Sequence, residues 1–192
     1  MKIAIIGKGN VGSALCNGLS AKHEVRFGHR DPSEPVEEAA KWGEIIVIAV
    51  PHEAVSTVVK ELGSAADGKT VIDATNAIAS NGDLAIGYST SAAEELQRML
   101  PKSFVIKAFN TVFSQNQSTG KVGKEQLTFF VAGDNKKAKQ NAMQLGKDIG
   151  FDPIDAGPLK AARYLEPMAM LIIDLAYGLG MGTNIGYKLV KG

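Results

Sequence analysis

The chain has 192 residues, enough for one domain, or one domain with a small appendage, and for a real hydrophobic core. Lys and Arg total 21 against 20 for Asp and Glu, so no basic run argues for nucleic acid or anionic lipid. The single cysteine, Cys16, rules out an internal disulfide and a cysteine-type structural zinc site; beside Leu15 and Leu19 it reads as a small core residue.

The chain opens with an apolar strand, Lys2–Ile6, that empties into Gly7-Lys8-Gly9-Asn10-Val11-Gly12 and then a helix-compatible stretch, Val11–Leu19. A Gly-x-Gly-x-x-Gly turn between strand and helix is the signature of dinucleotide binding; the bland alternative is an ordinary strand-turn-helix. Gly7 permits the tight turn, Gly9 lets backbone approach a pyrophosphate, and Gly12 lets the helix pack close to the strand. The free amides and positive end of the helix then face the phosphates. No cleavable basic-plus-apolar leader precedes this strand, so a cytosolic protein is expected.

Strand two, Glu24–Gly28, ends in Gly28-His29-Arg30, where an NAD site wants a carboxylate. Arg30 instead offers a planar fork to a 2′-phosphate, with His29 as a further donor and Ser33 as a further ligand. This favours NADP(H) over NAD(H). Asp31 is discordant, but Asp31-Pro32 is turn chemistry and reads as a cap on the next segment.

Glu44–Val50 is a β-branched run suited to a strand buried on both faces, and Pro51 stops it. His52–Leu62 reads as a helix with Val55, Val58, Val59 and Leu62 inward. A fourth strand (Lys69–Asp73), a polar loop (Ala74–Tyr88), a helix (Ser91–Leu100) and a fifth strand (Ser103–Ala108) follow. Gln126–Gly133 is a sixth strand, Asn135–Ile149 a helix closed by Gly150, and Asp152–Asp155 a short seventh strand. Leu159–Lys188 reads as mostly helical, interrupted by Pro167 and by Gly178, Gly180 and Gly182. Its most apolar part, Pro167–Leu179, is too short for a bilayer, contains Asp174, and is expected in a core or subunit interface. The alternation predicts an α/β protein. A Rossmann-type, doubly wound, mainly parallel sheet is expected over residues 1–158, with a short helical appendage, 159–192, packed on it as one unit.

Ligands of such sheets bind outside the carboxyl ends of the strands. That singles out Val50-Pro51-His52-Glu53, Ala74-Thr75-Asn76-Ala77, Phe109-Asn110-Thr111-Val112 and Ala156-Gly157-Pro158-Leu159 as cleft residues. Val50, Pro51, His52, Asn76, Ala77 and Asn110 therefore join the glycine turn (Gly7 to Gly12), His29, Arg30 and Ser33 as candidate cofactor contacts. Asn110, Asn76 and His52 are the candidates for orienting the reaction. No metal-ligand spacing, no Gly-x-Ser-x-Gly elbow, no catalytic lysine and no His paired with a carboxylate stands out. His52 suits a general acid or a solvated helix-start histidine; His23 reads as surface. An acceptor that needs no proton from the enzyme, a flavin or deazaflavin, fits this poverty of acids and bases.

Several runs resemble the NADPH-dependent F420 reductase family: Gly7 to Gly12, Gly28-His29-Arg30, Lys107-Ala108-Phe109-Asn110-Thr111, and above all Asp155-Ala156-Gly157-Pro158-Leu159 with Arg163 and Glu166. The likeness continues to Gly180-Met181-Gly182 and Gly186-Tyr187-Lys188. Lys107 to Asn110 is also similar to the N-terminal oxidoreductase domains of membrane metalloreductases. The resemblance implies hydride transfer between NADP(H) and an 8-hydroxy-5-deazaflavin coenzyme. It places Gly9, Asn10 and Val11 on the pyrophosphate, His29 and Arg30 on the 2′-phosphate, and the Val50-Pro51 loop, Asn76 and Asn110 around the nicotinamide. Leu159, Met168 and Met181 are candidate apolar contacts for the acceptor. The resemblance also implies a homodimer with the terminal helix near the interface, and no nucleic acid or membrane partner is expected. His29 stands where family members often carry Ser, and Asn110 where the reductase has His; the latter leaves a flavin or another acceptor open. The rival readings are a non-catalytic NADPH sensor and a reductase of a small carbonyl compound or ferric chelate.

Overall fold

The computed structural model describes residues 1–79 and 81–192. Ser80, part of the polar loop expected after the fourth strand, lies outside the described residues. Five short parallel strands form the centre: β1 (Lys2–Ile6), β2 (Glu24–Gly28), β3 (Ile45–Ile48), β4 (Thr70–Asp73) and β5 (Phe104–Lys107). A two-residue hairpin, β6 (Lys121–Val122) and β7 (Glu125–Gln126), precedes β8 (Thr128–Gly133), which pairs antiparallel to β5; β9 (Asp152–Gly157) runs parallel to β8. The seven-stranded order is β2-β1-β3-β4-β5-β8-β9.

β3 shows why the sheet is covered on both sides. Ile45 and Val47 point into the layer holding Leu15 and Leu19 of α1 (Asn10–Leu19). Ile46 and Ile48 point into the opposite layer, against α2 (Val36–Trp42) and α3 (Val55–Leu62). All four strand side chains are buried, as expected of a two-sided strand. α4 (Ala92–Met99) joins the second layer. After a single turn of helix, α5 (Ser114–Gln117), α6 (Lys136–Ile149) packs into the first. The arrangement is the doubly wound, mainly parallel Rossmann-type fold expected. Its helix starts are signalled locally: Ser91 Oγ accepts from Glu94 N at 3.2 Å, and Asn135 Oδ1 from Ala138 N at 2.9 Å.

Some elements differ from the sequence reading. α2 was not anticipated, because its short apolar set of Val36, Ala39 and Ala40 sits between Pro35 and a charged face. Residues 52–54 form a 3₁₀ turn ahead of α3 rather than its first turn. The long helix expected over Leu159–Lys188 is shorter: α7 (Ala162–Ile173) runs through Pro167 and ends in a π-helical turn, Asp174–Gly178. One proline removes a single donor, and α7 tolerates it. Beyond Gly178 there is no helix, since Gly180 and Gly182 take φ of +69° and +72°. The tail then runs beside β8, where Thr128 N donates to the Tyr187 carbonyl at 2.9 Å and Leu189 N to Thr128 Oγ1 at 2.8 Å.

α7 is clamped to α4 by a fork: Arg163 Nε and Nη2 donate to the two Glu94 oxygens at 2.8 and 2.7 Å. The Arg163 bonds hold the Glu94 carboxyl below the usual carboxylate range. A depressed carboxyl contributes stability above its unfolded pKa, and that contribution is lost as pH falls through the folded value. Arg163→Met is therefore expected to lower the thermal midpoint at neutral pH, with the effect shrinking progressively as pH falls below about 4. Melting curves across pH check this; a loss independent of pH would assign the pair to packing alone.

Candidate functional site

Chain order reverses between β1 and β3, so a crevice opens at their carboxyl ends. Gly7, at φ +110°, turns the chain there and donates its N–H to the Gly28 carbonyl at 3.0 Å. A Cβ on Gly7 would collide with the Ala49 carbonyl of the neighbouring strand, and one on Gly12 with the Gly7 carbonyl. A Cβ on Gly9 would meet nothing within 4 Å. The first and third glycines thus serve chain-to-chain approach, while the second borders open space of the kind a pyrophosphate fills. α1 begins at Asn10, with Gly9 as an N-cap that has no side chain and no acid in the first turn. The leading amides of α1 are left for a ligand, with the positive end of the helix behind them.

From this point a groove of about 590 Å³ runs past Gly28, His29 and Arg30 on one side and Ala49, Val50 and Pro51 on the other. Arg30 is exposed and has no carboxylate partner among the described residues. Asp31 closes a local turn, but it does not cap α2, whose N-cap is Pro35 with no side-chain bond. Its Oδ1 accepts from Ser33 N and Ser33 Oγ, both at 2.9 Å, and these bonds hold its pKa below the ordinary range. The Ser33 hydroxyl is therefore engaged, and Ser33 lines a separate depression with Arg26 and Trp42. Lys8 reaches across to both Glu34 oxygens at 2.9 Å, and His29 Nδ1 accepts from Asp31 N at 3.3 Å.

Asn76 and Asn110 come together although 34 residues separate them. Asn76 Nδ2 donates to the Asn110 carbonyl at 3.1 Å, and Asn110 Nδ2 to Asn76 Oδ1 at 3.3 Å and to the Leu165 carbonyl at 2.9 Å. Asn110 is 5% exposed, and its Oδ1 has no partner among the described residues. Phe109 just before it is buried at φ +67°, a costly conformation for a non-glycine residue and one that turns the chain sharply after β5. Ala77 is fully buried, backbone included, and its carbonyl accepts from Ala85 N at 2.7 Å, so it does not border the groove.

Beneath this pair lies a charge cluster that the sequence reading missed. Lys107 is fully buried, with its Nζ at 2.8 Å from Asp73 Oδ2 and 3.2 Å from Glu166 Oε1. Burial alone would lower the Lys107 pKa, but the two carboxylates outweigh it and hold the ammonium above its usual range. The available signal was a lysine closing an otherwise apolar strand, Phe104-Val105-Ile106-Lys107, beside a strand that ends in Asp73.

Other expected cleft residues are placed elsewhere. His52 lines a separate cavity of about 300 Å³ with Asp73, Thr75 and Glu95, and its Nδ1 is buried without a partner among the described residues. Because β8 and β9 run against β1–β5, the Ala156–Leu159 turn does not join the carboxyl-end cleft; Leu159 is packed with Leu96 and Val105 in the α4 layer. Met181 is 58% exposed, on the tail. His23 is not a surface residue: its side chain is 6% exposed and its Nε2 lies 3.0 Å from Asp148 Oδ2, tying the turn after α1 to α6. Among the described residues no helix is long and apolar enough to cross a membrane.

Residues 2–77, which carry the glycine turn, Arg30 and Asn76, match the family model described as "NADP oxidoreductase coenzyme F420-dependent". The F420-dependent NADP reductase of Methanothermobacter marburgensis is 31% identical over 207 residues, covering 91% of this chain and 92% of that one. The chain belongs to the F420-dependent NADP reductase family. A solved structure from Arthrobacter sp. FB24, provisionally assigned to the same family, superposes with a TM-score of 0.92 at 27% identity, with both chains covered completely. The chain is also 27% identical to Metalloreductase STEAP3 of Rattus norvegicus over 90% of its own length. It spans only 37% of that longer relative. Against this family background, the glycine turn and Arg30 lie in the matched segment, whereas Asn110, Lys107 and Glu166 lie beyond it.

Proposed function

We propose that this member of the family binds NADPH in the β1–β3 crevice and transfers a hydride between the nicotinamide and a deazaflavin or flavin. One observation carries the reading: uncapped α1 amides, open space at Gly9 and an unpaired Arg30 border a single groove. These features fit a dinucleotide. The leading amides of α1 bind the pyrophosphate, and Arg30, with His29 beside it, grips the 2′-phosphate. Val50 and Pro51 form the opposite wall. Asn110 Oδ1, buried and without a partner among the described residues, is the acceptor this reading assigns to the carboxamide N–H, although Asn110 does not line the groove as it stands. The bound dinucleotide supplies the hydride. The chain positions it and holds the nicotinamide end in place. Lys107 is saturated by its three partners, so it is not a proton donor here.

Family membership supports a deazaflavin acceptor. The similarity to metalloreductases, together with Asn110 in the Lys107 to Asn110 run, supports a flavin or a ferric chelate as the second reading. Anaerobic oxidation of NADPH with F420, FMN, FAD and ferric chelates separates these. NADPH binding with no oxidation by any acceptor would identify a sensor. A small-carbonyl reductase would depend on His52, which lies outside the groove; loss of carbonyl turnover in His52→Ala would favour that reading. The working form proposed is a cytosolic homodimer; the dimer is supported by Tyr164, Leu171 and Tyr177 on α7 and its π turn and by Leu179 just after it, each more than half exposed. Light scattering checks the dimer.

Gly9→Ala tests the site apart from the fold. Its methyl meets no protein atom, so the melting temperature is expected to hold. The same methyl enters the pyrophosphate space, so NADPH and NADH are both expected to bind at least roughly tenfold more weakly, about 1.4 kcal/mol. Calorimetry with each nucleotide reads this.

A further inference from the structure

Three segments that hold the Asn76–Asn110 pair converge on one ammonium. Lys107 Nζ donates to Asp73 Oδ2 at 2.8 Å and to the Thr75 carbonyl at 2.7 Å, with Glu166 Oε1 at 3.2 Å. Thr75 immediately precedes Asn76, and its N–H donates to the other Asp73 oxygen at 2.9 Å. Lys107 itself lies one turn of chain before Asn110. Glu166 follows Leu165, whose carbonyl accepts from Asn110 Nδ2, and it also receives Ala92 N and Ala93 N at 3.0 and 3.2 Å. The Asn110 amide cannot flip, because Leu165 O and Asn76 Oδ1 both require its NH₂ where it is. Its oxygen is thereby fixed as a buried acceptor without a partner among the described residues.

Stability alone does not explain the cluster. The cluster buries one ammonium beside two carboxyl groups, each at most 2% exposed, and apolar residues of similar volume commonly serve a fold as well or better. What the ammonium does that an apolar group cannot is bind the Thr75 carbonyl and both carboxylates at once. Resting on the dinucleotide reading above, we infer that Lys107, with Asp73 and Glu166, is a positioning residue: it fixes the Asn76–Asn110 pair so that Asn110 Oδ1 receives the nicotinamide carboxamide.

The test compares two probes. 2′,5′-ADP reports the Arg30 end alone, and NADPH reports both ends. Nicotinamide fluorescence of bound NADPH reports its surroundings without any acceptor. Lys107→Met removes the hub. Asp73→Asn is the milder variant: it can keep the oxygen that accepts from Thr75 N and lose the acceptor facing Lys107. The expected result is at least a tenfold loss of NADPH affinity and altered nicotinamide emission, with 2′,5′-ADP affinity unchanged within twofold. Should Lys107→Met fail to fold, Asp73→Asn gives the answer through the same readouts. Wild-type NADPH affinity and emission in Asp73→Asn would overturn the inference, leaving the cluster a staple. Equal losses for both probes would also overturn it, by showing an effect on the whole crevice. Wild-type protein that binds neither probe would overturn the dinucleotide reading itself.

Discussion

Gly12→Ala is expected to destabilise the protein by about 3 kcal/mol or more, at the upper end of overpacking costs. The blocking atom is the Gly7 carbonyl, which belongs to the backbone of the same turn and cannot rotate away as a side chain would. Relief requires α1 to move off β1, where Leu15 and Leu19 are fully buried against Ile3 and Ile5. Domains of this size commonly hold only about 5–15 kcal/mol in total, so the loss is a large fraction. Urea unfolding of the purified variant measures it, and a midpoint equal to that of the parent would refute the close approach. Set beside Gly9→Ala, the result separates two roles within one six-residue motif. On the proposed reading, Gly12 serves packing and Gly9 serves the ligand.

Arg30→Ala is expected to weaken NADPH by about 1.5–3 kcal/mol, the scale of charge-assisted hydrogen bonds, or roughly 10- to 150-fold in Kd. NADH, which lacks the 2′-phosphate, should scarcely change. The contrast follows from geometry: Arg30 is exposed at the rim of the groove and is not tied to a carboxylate, so its fork is free for a ligand. The loss should shrink as salt rises, because the site is open to solvent. Titration calorimetry with both nucleotides decides the matter, and equal losses for the two would remove Arg30 from the 2′-phosphate site.

The Arg30 end was legible because every participant lies within one βαβ unit. A strand, a glycine turn, a helix and the tip of the next strand are adjacent in sequence, and local rules connect them. The hydroxyl of Ser33 has the chemistry of a phosphate ligand, yet it donates to Asp31 two residues away. Residue type signalled a donor there but not which acceptor it would find. The nicotinamide end was legible only in part. Asn76 and Asn110 were selected as residues following strands, but their mutual hydrogen bonds depend on β4 and β5 being neighbours in register, with Asp73 opposite Lys107. His52 was selected by the same rule and is placed in another cavity, because the 3₁₀ turn at 52–54 carries it out of the groove.

The amino-acid sequence by itself determined the fold class and the glycine turn, and it carries the proposed 2′-phosphate contact at Arg30, since each is written in neighbouring residues whose backbone and charge act locally. The tertiary structure alone decided the reversal of β8 and β9, the path of the terminal segment beside Thr128, and the union of Asp73, Lys107 and Glu166. Those features join residues far apart in the chain. Their energies arise only when a buried charge finds its counter-charge, or an open strand edge finds its partner, in the folded molecule.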